Sequence, residues 1–313
     1  MRRAAPKSCP LGCGVRMARA VLWQKSDWNM GRESAALGGG VKVRMLHVVS
    51  VGVNHYIDPD ISNLRCARAD AESFAALIGT RVGTEEHRVR LLLDEDATQK
   101  QVMIAVGEDL PRVVEPDDVV LLYFACHGSR EKVSPPDKES LYLALHDTEY
   151  ERIFATGIDM HLDVNRWLER LRKAKLVILI LDACFSGRAG GRTFKGPRLK
   201  ASKVYRSTDR LSIKNLDLGH GQVILTAARE DQVAREDDVR GHGIFTYHLL
   251  NILKQAPVEQ ATISVAILYD EVVRAVRRDT GGRQVPMLNG NNAAAALPLF
   301  GRADTAPMKS SVA

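Results

Sequence analysis

The stretch LVILILDACFSG, residues 176–187, joins six consecutive apolar residues to a carboxylate, a thiol and a small polar turn. A short, wholly apolar run reads as a strand buried on both faces, as found in the middle of a parallel sheet. The carboxyl ends of such strands are where α/β proteins place their chemistry. This one delivers Asp182 and Cys184 to that edge. A free cysteine is most often a small buried hydrophobe. Cys184 departs from that pattern, because it lies past the apolar run among Asp, Ala, Phe, Ser and Gly.

Outward from this strand, the chain alternates strands and helices. Residues 43–53 read as a first strand and 64–78 as a helix, in which Leu64, Ala67, Ala71, Phe74, Ala75 and Ile78 recur at helical spacing. A second strand follows at 88–93. Thr98 opens a helix that runs to Val114, and residues 119–124 form a third strand ending in Ala125-Cys126-His127-Gly128. Residues 129–140 read as a polar loop, 141–145 as a short strand, and 163–173 as a helix opened by Asp163. Past Gly187 the segment to Asn215 is rich in Gly, Lys and Arg and has no apolar period, which predicts a long mobile loop. Residues 222–227 read as a strand, 244–253 and 264–277 as helices, and 284–288 as an edge strand, where Pro286 is tolerated. The pattern predicts an α/β fold, a mainly parallel, doubly wound sheet with helices on both faces. The expected organisation is a flexible extension over 1–42, one domain over 43–300 with a mobile basic loop at 188–220, and a disordered tail at 301–313. Met45 opens the first convincing element, so the true translation start is expected downstream of Met1.

Composition narrows the function classes. Of 313 residues, 45% are hydrophobic and 26% charged, which suits a globular protein with a real core. No apolar run is long enough for a membrane span, and the basic N-terminus lacks the apolar stretch of a secretory signal. Five cysteines are too few for a disulfide framework and fit a reducing compartment, so a cytoplasmic location is expected. Cys9 and Cys13 have no second pair at zinc spacing, and no metal is expected. The net charge of +6 is carried largely by the N-terminus and residues 188–214, with few aromatics nearby, so nucleic acid is not the expected partner.

Two strand ends carry chemistry-bearing residues: His127-Gly128 and Asp182 to Gly187. Both follow buried strands and should meet at one edge of the sheet. A thiol beside an imidazole makes a nucleophile able to attack a carbonyl carbon. The separation, 184 − 127 = 57 residues, is close to the roughly 50 between His and Cys in caspases. The backbone N–H groups of Gly128 and Cys184 are candidates for an oxyanion hole. Cys126 should face away from His127 and be structural.

The chain resembles the caspase and metacaspase superfamily of cysteine peptidases, in its bacterial form. The matching segments are Tyr123 to Gly128, Asp182 to Gly187, Leu64 to Ala71, and Gly243 to Thr246. The resemblance spans roughly residues 43–290 and implies the caspase-hemoglobinase fold and a His127–Cys184 dyad. In metacaspases one acidic residue two before the cysteine and another near the start of an early helix line the pocket for the P1 side chain. Asp182 and Asp70 match them, which implies cleavage of protein or peptide substrates after Arg or Lys. Two departures stand out. Ala125-Cys126 replaces the Ser-Gly often found before His-Gly, and no run of aspartates for activating calcium is evident. Asp231, Asp237 and Asp238 read as solvated charges, and calcium activation is left open. Relatives often carry a cleavable segment after the cysteine strand, which makes Arg188, Arg192, Lys195, Arg198 and Lys200 candidate self-cleavage positions. Bacterial relatives act in defence and programmed death, often under an activating protein or ligand. The rival reading is a silent scaffold or sensor that keeps the fold without turnover.

Overall fold

The structure, a computed structural model, describes residues 45–81, 86–133, 138–185, 192–198, 213, 216–255, 263–297 and 299. The N-terminal extension with Cys9 and Cys13, the residues Ser186, Gly187, Arg188 and Lys200, and the tail from 301 lie outside the described residues.

The strands are β1 (Met45–Gly52), β2 (Glu86–Leu93), β3 (Val119–Ala125), β4 (His127–Val133), β5 (Lys138–Ala144), β6 (Ile158–Asp159), β7 (Leu176–Asp182), β8 (Thr193–Arg198), β9 (Gln222–Thr226), β10 (Glu236–Asp237), β11 (His242–Gly243) and β12 (Met287–Gly290). The principal helices are α1 (Ala67–Arg81), α2 (99–113, with a π-helical middle), α3 (Asp163–Arg170), α4 (Ile244–Gln255) and α5 (Val265–Asp279). A six-stranded sheet runs β12-β9-β7-β3-β1-β2. All its pairs are parallel except β12 with β9 at the edge. Every residue of β1, β3, β7 and β9 is buried, as their largely apolar sequences favour.

Neighbouring residues of β3 show that both faces are covered. Tyr123 stacks on Phe74 of α1 at 4.5 Å, while Phe124 stacks on Trp167 of α3 at 6.1 Å. Successive strand side chains point to opposite faces, so α1 and α3 lie on opposite sides of the sheet. Thr98 caps α2 and Ser264 caps α5, each accepting a backbone N–H from three residues on. In the centre, β3 and β7 pair with Ala125 opposite Asp182. Two residues further along each strand stand His127 and Cys184.

Two expectations need correction. Residues 129–140 are not simply a loop. β4 and β5 form an antiparallel pair inside a second, four-stranded sheet of order β6-β5-β4-β8. β4 hides in the sequence because Ser-Arg-Glu-Lys has no apolar alternation, and its pairing with β5, where Leu141 and Leu143 are buried, overrides that pattern. Nor is 188–220 a mobile loop throughout. Residues 193–198 form β8, parallel to β4 with Thr193 opposite Gly128. β8 sits at the edge of its sheet, where Lys, Arg and Pro197 are tolerated. Among the described residues, no helix is long and apolar enough to cross a membrane.

Candidate active site

The ends of β3 and β7 bring His127 and Cys184 to the same edge. The backbone N–H groups of Gly128 and Cys184 both donate to one oxygen, the Arg192 carbonyl, each at 3.1 Å. Glycine is required at 128: a Cβ there would lie 2.5 Å from the Cys184 carbonyl oxygen. The two expected oxyanion-hole donors therefore converge on a single carbonyl.

His127 is held on several sides. Its ring Nε2 lies 2.7 Å from the Ser62 carbonyl oxygen. A carbonyl can only accept, so Nε2 carries the proton and Nδ1 of the neutral ring keeps its lone pair. The His127 backbone N–H donates to the Tyr56 hydroxyl at 2.9 Å, and the two rings sit 5.1 Å apart. Burial pushes the imidazole down to about 4, so it is neutral near pH 7 in this state. Such a ring can take a proton from a thiol. Cys126 is buried, and burial pushes its thiol up to about 12, so it does not ionise near neutrality.

Beside this pair lies a charged pocket. Asp70 in the first turn of α1 and Asp182 at the end of β7 are both fully buried, and both face the Arg192 guanidinium. Arg192 Nη2 pairs with Asp70 Oδ2, and Nη1 pairs with Asp182 Oδ2 at 2.9 Å. Nη1 also donates to the Asp182 carbonyl at 3.2 Å. A third carboxylate, Glu236 on β10, lies 3.5 Å from Nη2. Burial opposes the charge on Arg192, but Asp182, Asp70, Tyr123 and Glu236 outweigh it and keep the guanidinium protonated. Burial pushes the Asp182 carboxyl up to about 6, with the Arg192 charge pulling it down and the Asp70 charge adding to the push.

The carboxylates are themselves anchored. Asp70 accepts the Gly243 N–H at 3.0 Å and faces His242 Nδ1 at 2.6 Å. The Thr246 hydroxyl donates to Asp182 Oδ2 at 2.6 Å, and the Tyr123 hydroxyl lies 2.6 Å from Thr246. Glu236 accepts the Cys66 N–H at 2.9 Å, which ties it to the chain entering α1. At Gly243 a Cβ would come 2.7 Å from Asp182 Oδ2, so the pocket wall needs a residue without one.

Of the five basic candidates after the cysteine strand, the structure brings Arg192 alone into this pocket among the described residues; Lys195 and Arg198 lie on β8, and Arg188 and Lys200 are outside them. The expectation of a mobile Arg192 is corrected by its complete burial. Asp237 accepts the N–H groups of Val239 and Arg240, and Asp238 pairs with Arg65 at 2.6 Å. Among the described residues no three His, Cys, Asp or Glu side chains are grouped to hold a metal ion. Glu236, Tyr56 and Ser62 carry no site role in the sequence reading, and Thr246 enters it only as the last residue of the matching segment Gly243 to Thr246. Ser62 acts through a backbone carbonyl, which leaves no mark on residue type. Glu236 sits in a run of mixed charges, and its contacts with the Arg65 and Cys66 N–H groups and with Arg192 distinguish it.

Comparison with known proteins agrees with this fold. A family model described as the caspase domain matches residues 46–297. The crystal structure of a protein from Geobacter sulfurreducens is similar, with a TM-score of 0.58 and 18% identity over 82% of this chain and 98% of that one. At that identity the likeness is one of fold. No curated protein matches the sequence.

Proposed function

The chain belongs to the caspase-domain family of cysteine peptidases, and we propose that it is an endopeptidase in which Cys184 is the nucleophile and His127 the base, cutting after Arg or Lys. One observation carries this reading. A basic residue lies with its guanidinium between Asp70 and Asp182 while its carbonyl oxygen accepts from both Gly128 and Cys184. A substrate residue bound in the same way would have its carbonyl carbon beside the thiol and its oxygen already facing two donors.

In the proposed reaction, neutral His127 takes the thiol proton at Nδ1 while Ser62 holds the ring by Nε2–H. The Cys184 sulfur attacks the carbonyl carbon, and the developing charge on oxygen is met by two backbone dipoles. The imidazolium returns its proton to the leaving amine, and water then hydrolyses the thioester. The buried carboxylates favour a cationic P1 group, and Asp at P1 would meet like charge. Arg, with five N–H donors in a planar fork, matches several separate acceptors better than Lys.

Self-processing within 188–214 is part of the proposal and is supported by the position of Arg192. An activating protein or ligand is proposed because the pocket is filled in this state. A role in a bacterial defence or cell-death response rests on the resemblance alone. The test is hydrolysis of an Arg-ended reporter peptide by wild type and Cys184→Ala, with and without calcium. Turnover by wild type only is expected. A folded wild type that is inert under both conditions would favour the silent scaffold.

A further inference from the structure

We propose that Arg130 is a positioning residue for the oxyanion hole, tying together the two segments that carry its backbone donors and so fixing the spacing of the Gly128 and Cys184 N–H groups. The inference rests on the peptidase reading and adds to it a residue outside both the His127–Cys184 pair and the three carboxylates.

The two donors belong to different sheets. Gly128 lies on β4 in the four-stranded sheet, and Cys184 follows β7 of the six-stranded one. The β3–β7 ladder ends at Ala125 opposite Asp182, before either donor, and β4 pairs with β5 and β8. Among the described residues, then, no strand pairing sets the distance between the two N–H groups. One face of β4 nevertheless lies directly against the cysteine: a Cβ on Gly128 would stand 2.5 Å from the Cys184 carbonyl oxygen and 2.9 Å from the Phe185 ring. Residues two apart on a strand share a face, so Arg130 emerges on the face where Gly128 makes room. Its Nε–H donates to the Phe185 carbonyl. The other side of the guanidinium meets Glu230, whose carbonyl accepts from Nη2 at 3.3 Å and whose carboxylate Oε2 lies 3.7 Å from it. Glu230 follows β9, the neighbour of β7. One planar cation thus joins β4, the cysteine turn and the loop after β9. An arginine that merely balanced Glu230 would need only the carboxylate; this one also holds the carbonyl of the residue next to the nucleophile.

Gly128 allows the close approach and Arg130 keeps it. Hydrogen bonds from a charged donor hold more firmly than neutral ones. With the Phe185 carbonyl fixed to β4, the Cys184 N–H stays aimed at the point the Gly128 N–H faces. Without Arg130 the Cys184–Phe185 segment is free to shift against β4. The P1 side chain would still reach Asp70 and Asp182, and the ground-state complex would form as before. The developing oxyanion, however, would meet two donors that no longer converge. The loss therefore falls on the chemical step, and a misplacement of about 1 Å costs on the order of 100-fold in such sites.

The test compares full-length wild type with Arg130→Ala, thermal unfolding confirming that both are folded. For an Arg-ended reporter, kcat should fall about 10- to 100-fold while KM changes by less than about twofold. Two inhibitors separate positioning from general damage. A peptide ending in an arginine aldehyde adds to the Cys184 thiol and places its oxygen on the two donors, so its inhibition constant should rise in step with the loss in kcat. Benzamidine, which mimics the arginine side chain alone, should inhibit both proteins equally. Where Arg130→Ala does not fold, Arg130→Lys takes its place: it keeps the charge and the stem but has one nitrogen for two partners, and should show the same selective loss to a smaller degree. Unchanged kcat and aldehyde inhibition, or benzamidine weakened as much as the aldehyde, would overturn the inference and leave the peptidase reading standing. A folded wild type that neither turns over the reporter nor reacts with the aldehyde overturns the peptidase reading and this role for Arg130 with it.

Discussion

His127 and Cys184 stand just past the ends of two paired central strands, and the polar groups described beside them are backbone: the N–H groups of Gly128 and Cys184 and the Ser62 carbonyl. The pocket beside them is built from side-chain charge. Asp70, Asp182 and Glu236 come from α1, β7 and β10, segments separated by 236 − 70 = 166 residues of chain. The two regions share one occupant, Arg192, which gives its carbonyl to the first and its guanidinium to the second. Under the proposed function, the difference separates two properties. Reactivity would depend on two strand ends whose spacing the sheet fixes. Selectivity would depend on charges that must be gathered, desolvated and held by neighbours such as Thr246 and Gly243.

If that division is right, damage to the backbone half should fall on all substrates alike. Gly128→Ala places a Cβ against the Cys184 carbonyl and should push apart the two oxyanion donors. The expected loss in kcat is about 100- to 1000-fold. It should be equal for Arg- and Lys-ended reporters, measured at steady state on protein whose thermal unfolding shows a folded chain. A loss confined to one of the two substrates would break the comparison.

A smaller effect, set by pH, sharpens the division. In the occupied pocket the Asp182 carboxyl is raised to about 6, whereas His127 is lowered to about 4. As pH falls through about 6, Asp182 takes a proton, one negative charge facing the P1 guanidinium disappears, and turnover should decline. His127 remains neutral and able to accept a proton until about 4. The acid limb of kcat for an Arg-ended reporter should therefore fall near 6 and reflect the pocket. A single limb near 4 would assign pH control to the dyad.

The unequal construction also explains what the sequence could disclose. His127 and Cys184 are legible because each lies two residues past the end of a largely apolar strand, and a parallel sheet puts such ends together. Asp70 was different. On helical pattern alone it reads as a solvated residue, and only the resemblance pointed to the pocket in which the structure buries it. Glu236 and Thr246 reach Arg192 and Asp182 through tertiary contacts that no local spacing encodes. β4 and β8 were missed for a related reason. Their charged, non-alternating sequences pair because buried partners in β5 and the anchored Arg192 hold them, and a pattern of period two does not register that. In sequence Arg192 is one basic residue among five in a loop, yet its burial among three carboxylates depends on elements as distant as α1 and β10.

The most direct test of the account compares kcat/KM for otherwise identical Arg- and Asp-ended reporters, in wild type and in Asp70→Asn. Removing one partner of a buried charge pair costs about 2–5 kcal/mol, so Asp70→Asn should lower kcat/KM for the Arg reporter by about 30-fold or more while the chain remains folded. Wild type should turn over the Arg reporter and leave the Asp reporter untouched. Equal hydrolysis of both reporters by wild type, or an Arg rate unchanged by Asp70→Asn, would contradict the assignment of selectivity to these carboxylates.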